Sequence, residues 1–261
     1  MSDYPPEIAE NLNKNYELFA RNYESSLLRL AERNLTDVAE KTGSELLGSS
    51  RLILWFFEKC MIVDLFKRQI YSITEKEISK MVDKSKDKKS TTVLNKSDII
   101  DYVKKIDFGY IDSGVPEYFN TSGKLKLEVL DSFASAIILH FLLTADGASL
   151  TGKWILYREL PDGLFYGDTI GGVLKPIIKR YEYNGAGFLK RILDIGGSID
   201  KNFKFSGVVY PFERFPILFI LEEKDEEFEA DMRVLFDSSA SHYLKSDIIK
   251  TLVVYTAKKL L

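Results

Sequence analysis

The chain has 261 residues, of which 45% are hydrophobic, 29% charged and 13% aromatic, with a net charge of −3 and a pI near 5.6. This composition supplies a large core under an ordinary charged surface and excludes disorder over the whole length. It lacks the basic footprint with which proteins collect phosphate contacts, so no nucleic-acid partner is expected. The single cysteine, Cys60, cannot form an internal disulfide or hold an iron–sulfur cluster or a cysteine-based zinc site, and its apolar neighbours predict a buried, inert thiol. The first residues show no basic stretch leading into an apolar one, and no apolar run reaches the roughly 18 residues of a membrane span. A cytoplasmic protein without membrane contact is expected.

From Ile8 onward Leu12, Tyr16, Phe19, Tyr23, Leu27 and Leu30 recur at three- and four-residue spacing, the stripe of a long amphipathic helix. A short helix over 36–41, closed by Gly43, follows it. Residues 51–73 are rich in β-branched, aromatic and aliphatic side chains and read as an antiparallel meander. Residues 74–120 form a charged insertion with a helix near 97–105 and a lysine-rich surface stretch, 83–90, expected to be mobile and removable. The run 127–144 is apolar nearly all round and predicts a central buried helix. A strand over 154–159 follows, then helices over 172–181 and 188–194 and strands over 207–212, 216–222 and 232–236. The acidic run 222–231 reads as the hairpin loop between the last two strands, since it lacks the ordered alternation and the glycine of a calcium loop. A helix over 246–261, capped by Ser246, closes the chain. Together these give one α+β domain: a mainly antiparallel sheet packed against a central buried helix, with long N- and C-terminal helices.

Several side chains suggest chemistry. Gly147 to Lys153 has the glycine and lysine spacing of a phosphate-binding loop, but a helix precedes it, a strand follows it, and Trp154 stands where a hydroxyl should ligate magnesium. A glycine-bearing turn with an exposed Lys153 fits better. The only two histidines, His140 and His242, are candidates for a metal, for the metal centre of a tetrapyrrole, or for acid–base work beside Asp146 or Asp237. The competing reading makes His140 a core residue and His242 a helix cap. A hydrolytic triad from Ser238, Ser239 or Ser241 lacks a nucleophile elbow. Trp154 and its neighbouring aromatics pack a sheet, or else line a cleft in which Lys153 or Arg158 pairs with an anionic ligand.

The stretches 139–147, 150–166 and 225–244 resemble the family catalogued as domain of unknown function 3786, most specifically at Thr151-Gly-Lys-Trp154 and at Leu235-Phe-Asp-Ser-Ser-Ala-Ser-His242. Residues 16–20 and 35–43 resemble it too. The resemblance implies an uncharacterised family of anaerobic bacteria and archaea, some of whose members carry a cysteine-rich iron–sulfur segment. It thereby implies an accessory binding protein of anaerobic metallocofactor or corrinoid-linked one-carbon metabolism. Its ligand would be a corrinoid, a haem-like tetrapyrrole or a metal ion, and its partner an iron–sulfur or corrinoid protein. With one cysteine this chain cannot itself carry the cluster. A small-molecule enzyme with a His/Asp acid–base site and a protein-interaction module without a ligand are the alternatives. On the residues, His140, Asp146, Lys153, Asp237 and His242 are expected to share one cleft, with His140 and His242 as the metal ligands and Trp154 and Arg158 as further ligand-binding candidates.

Overall fold

The computed structural model describes residues 22–74, 96–104, 117–120, 123–165 and 167–261. The predicted first helix is present where it is described, over 22–31; its earlier part and the lysine stretch 83–90 lie outside the described residues. Helix α1, Leu35–Thr42, is capped at its start by the Asn34 side chain, which accepts from Thr36 and Asp37 N–H groups, and ends at Gly43 with φ +72°. Asparagine and glycine do opposite jobs here. Asparagine satisfies the orphan donors of the first turn, and glycine adopts the left-handed conformation that closes the last.

Strand β1, Glu45–Leu47, which lies outside the expected 51–73, adds an edge to the meander expected there, formed by β2, Arg51–Phe56, β3, Lys59–Asp64, and β4, Gln69–Thr74. Its far edge is a two-residue strand that the sequence pattern did not predict. Helix α2, Lys96–Lys104, and the hairpin of β5, Glu117–Asn120, with β6, Gly123–Lys126, precede that edge strand, β7, Glu128–Val129. The period of two sorts the meander's side chains. Leu52, Leu54 and Phe56 enter the main core, whereas Ile53 and Trp55 join Cys60, Ile62 and Tyr71 under Ile99 and Val103 of α2. Cys60 is fully buried and desolvation pushes its thiol up to about 12, which keeps it unreactive.

The buried helix α3 is Ser132–Thr144 and starts later than its apolar composition suggests. Asp131 is the reason: its carboxylate accepts from the Phe133 and Ala134 N–H groups at 3.0 Å each, while 128–129 are claimed by β7. Beyond it the chain forms β8, Trp154–Leu156, α4, Gly167–Tyr181, α5, Gly185–Asp194, β9, Ser198–Asp200, β10, Phe205–Phe212, β11, Phe215–Glu222, β12, Asp231–Asp237, and α6, Ser246–Leu260. The expected strand over 154–159 stops at Leu156 because Glu159 accepts from the Leu156 N–H at 2.6 Å and turns 157–159 into a 3-10 helix. Nor does Ser246 cap α6. Lys245 occupies the cap position, and the Ser246 hydroxyl instead donates to the Pro161 carbonyl.

Apart from the separate β5–β6 hairpin, the strands divide between two five-stranded antiparallel sheets, β1-β2-β3-β4-β7 and β8-β12-β11-β10-β9. They meet where the Phe57 N–H donates to the Pro211 carbonyl at 2.9 Å. The α3 ring of Phe141 stacks on Phe212 of β10 with centroids 3.9 Å apart, and Phe56 of β2 packs on the same Phe212. One core thus draws on both sheets and on α3, α4, α5 and α6. Among the described residues no helix is long and apolar enough to cross a membrane.

Candidate functional site

Where α3 ends, the chain runs as an irregular loop through 145–153 into β8, and this loop lies against the 3-10 turn Ala240–His242 that follows β12. Two ties fix the contact. Asp146 donates its N–H to the His242 carbonyl at 3.1 Å, and its Oδ2 receives the His242 Nδ1 at 2.7 Å. Its other oxygen accepts from the Ala148 N–H at 3.0 Å. The bond from His242 and the bond from the Ala148 backbone hold the Asp146 carboxyl below the usual range, so it is ionised and can only accept. Nδ1 must then carry the hydrogen. In the neutral ring this leaves the lone pair on Nε2, and among the described residues Nε2 has no partner. Both side chains are about half exposed, at 52% and 54%.

The loop is held from below by Asp237, the last residue of β12, which is 3% exposed. Its Oδ1 accepts from the Thr151 N–H and hydroxyl, at 3.0 and 2.9 Å, and from the Ser239 N–H and hydroxyl, at 2.9 and 2.7 Å; Oδ2 accepts from the Gly152 N–H at 2.7 Å. Burial pushes the Asp237 carboxyl up, but these bonds outweigh it and hold the carboxyl below its ordinary value. The Thr151 and Gly152 N–H groups of the turn with the phosphate-loop spacing thus serve an internal carboxylate. Tyr243 adds a second anchor, its hydroxyl donating to the Ala148 carbonyl, and Thr144 a third, its hydroxyl donating to the Tyr243 carbonyl at 2.5 Å.

His242, Asp146 and Asp237 thus belong to one junction, with Lys153 in the same loop, its carbonyl accepting from the Ser238 N–H at 2.8 Å and its side chain exposed. Trp154, half-buried opposite Asp237 in the β8–β12 ladder, packs beside Val208, Leu218 and Ile220 on the outer face of its sheet. Arg158 is exposed on the 3-10 turn after β8. His140 lies on α3, half-buried. Burial pushes its imidazole below the usual range, and the charges acting on it are those of Asp247, Lys245 and Arg29 rather than the Asp146–His242 pair. Among the described residues no group of three or more His, Cys, Asp and Glu side chains gathers as a protein-only metal site requires. Ser241, beside His242 in the chain, lines a cleft of about 470 Å³ with Pro161, Asp162, Leu244, Lys245 and Asp247. Thr151 and Tyr243 lie in the family-like stretches but their roles had no sequence signal, and Arg214 had none at all, because each acts on a residue at least 86 positions away.

Comparison with known families matches residues 116–259 to the family described as Domain of unknown function (DUF3786). The chain belongs to that family. The matched stretch contains α3, the 145–153 loop, β12 and the His242 turn, whereas α1 lies outside it. No curated protein and no solved structure matches the chain.

Proposed function

We propose that this member of the DUF3786 family is a small-molecule enzyme in which the imidazole of His242, oriented by Asp146, is the general base. The carrying observation is the 2.7 Å bond from Nδ1 to a carboxylate held ionised, which leaves Nε2 as the proton acceptor. The adjacent cleft presents Asp162, Lys245 and Asp247 beside an apolar lining of similar extent, which suits a small molecule that carries polar groups. A second reading rests on the same free nitrogen. A lone imidazole with a carboxylate on its other nitrogen is what a metal centre that brings its own remaining donors needs, so an accessory protein binding a corrinoid or haem-like tetrapyrrole through His242 is the alternative.

The test is a metabolite library screened by thermal shift against the wild type, H242Q and D146N, with haemin and hydroxocobalamin titrated separately by visible absorption. A polar compound that stabilises the wild type, is turned over, and is turned over at least 100-fold more slowly by H242Q supports the acid–base reading. A visible-band shift lost in H242Q supports the tetrapyrrole instead. Turnover or binding indifferent to both variants removes His242 from the function.

A further inference from the structure

Arg214 lies in the turn between β10 and β11, and its guanidinium reaches back across 173 residues to the end of α1, donating to the carbonyls of Glu40 at 2.9 Å and Lys41 at 3.0 Å. A cation with two donors at a helix C-terminus satisfies orphan carbonyls and opposes the negative end of the helix dipole. Space for it exists because residue 43 is glycine: a Cβ there would lie 3.2 Å from the Arg214 Nε. The same end of α1 supports the functional loop directly, since a Cβ at Gly147 would come within 3.3 Å of the Lys41 Cα. On its other side Arg214 lies close enough to Tyr243 for its charge to favour the phenolate, partly offsetting the burial that pushes this phenol up. Tyr243 in turn holds the Ala148 carbonyl, two residues from Asp146.

We propose that Arg214 is the positioning residue of the Asp146–His242 pair. It clamps the last turn of α1, which lies outside the matched family stretch, against the loop that carries Asp146, so that a segment remote in sequence sets which nitrogen of His242 is free. The inference rests on the acid–base reading for its functional meaning, but its geometry is tested without any ligand.

The experiment is long-range ¹H–¹⁵N NMR on ¹⁵N-histidine-labelled full chain near neutral pH, reading the tautomer of the neutral His242 ring, with H242Q to assign its signals. Wild type should show the Nδ1–H form, and D146N should lose that preference. R214M, which keeps the aliphatic stem, should lose it as D146N does while circular dichroism still reports a folded chain. Millimolar guanidinium chloride added to R214A should partly restore it. If R214M fails to fold, R214K keeps a cation at the helix end, but one ammonium cannot hold both carbonyls and also lie beside Tyr243, so a mixture of tautomers is expected. Wild-type tautomer preference in a folded R214M, or in R214K should R214M not fold, overturns the proposal. Should H242Q leave turnover unchanged while R214M still shifts the tautomer, the general-base reading falls and the strut stands.

Discussion

Asp64 and Asp237 are each the last residue of a strand in a five-stranded antiparallel sheet, and each is buried, at 0% and 3% exposure. The fold treats them differently. Asp64 sits directly opposite Arg51 in the β2–β3 ladder and takes its Nε at 2.8 Å, with the Lys67 N–H at 3.0 Å on the other oxygen. Charge meets charge within one local hairpin. The donors that Asp237 receives are five neutral N–H and hydroxyl groups, three of them from a loop 85 to 86 residues earlier in the chain. A carboxylate neutralised by a cation closes a hairpin; one surrounded by neutral donors shapes an irregular loop, and here that loop carries Asp146.

The sharpest way to break the comparison is to remove each charge in turn. D237N puts an amide NH₂ where only donors converge, so at least one buried donor loses its acceptor, and the expected cost is about 3 kcal/mol, read from urea midpoints. Acid should expose the same bonds. The folded-state pKa values of Asp237 and Asp146 are both depressed, so their contribution is complete above the ordinary aspartate value of about 3.9 and is lost as pH falls from there through the lower folded-state values. The stability gap between wild type and D237N should therefore shrink between about pH 6 and about pH 3; a gap that widens on acidification contradicts the depressed pKa. D64N should cost less, about 1–2 kcal/mol, because the Arg51 side chain, 20% exposed, can turn its charge toward water. A larger loss in D64N than in D237N would reverse the ranking argued here.

The same contrast marks how far the sequence could be read. Strands β1-β2-β3-β4 join neighbours in the chain, and the alternation of Leu52, Leu54 and Phe56 against Ile53 and Trp55 is visible in the sequence as a meander. The apolar run of α3 and Gly43 at the end of α1 were equally plain, since helix burial and left-handed closure are local properties. What failed was non-local or two to three residues long. The edge strands β7 and β9 exist only because a longer partner strand pairs with them. Glu159 ended the strand at Leu156 through one side-chain bond. At the site, the motif singled out Asp146 and His242 as candidates, but their direct bond and the contacts of Arg214 depend on chain crossings of 96 and 173 residues. His140 shared the motif and not the pair, because on a helix apolar all round no periodicity says which way one imidazole faces.

The smallest expected effects separate two glycines of the 145–153 loop. Gly147 and Gly152 both have positive φ, +87° and +71°, so alanine at either position carries backbone strain of about 1 kcal/mol. Their surroundings differ. A Cβ at Gly152 meets nothing within 4 Å, and G152A should show the backbone cost alone. A Cβ at Gly147 would lie 3.2 Å from the Lys41 Cγ and 3.3 Å from its Cα; the side-chain atom can move, but the backbone atom belongs to the last turn of α1, which Arg214 holds. The loop must then lift, carrying Asp146 away from His242. G147A is therefore expected to lose about 1 kcal/mol beyond G152A and, unlike G152A, to weaken the Nδ1–H preference of the His242 ring. Equal stabilities and unchanged ring spectra in both variants would show that the loop yields freely and that α1 does not hold the pair in place.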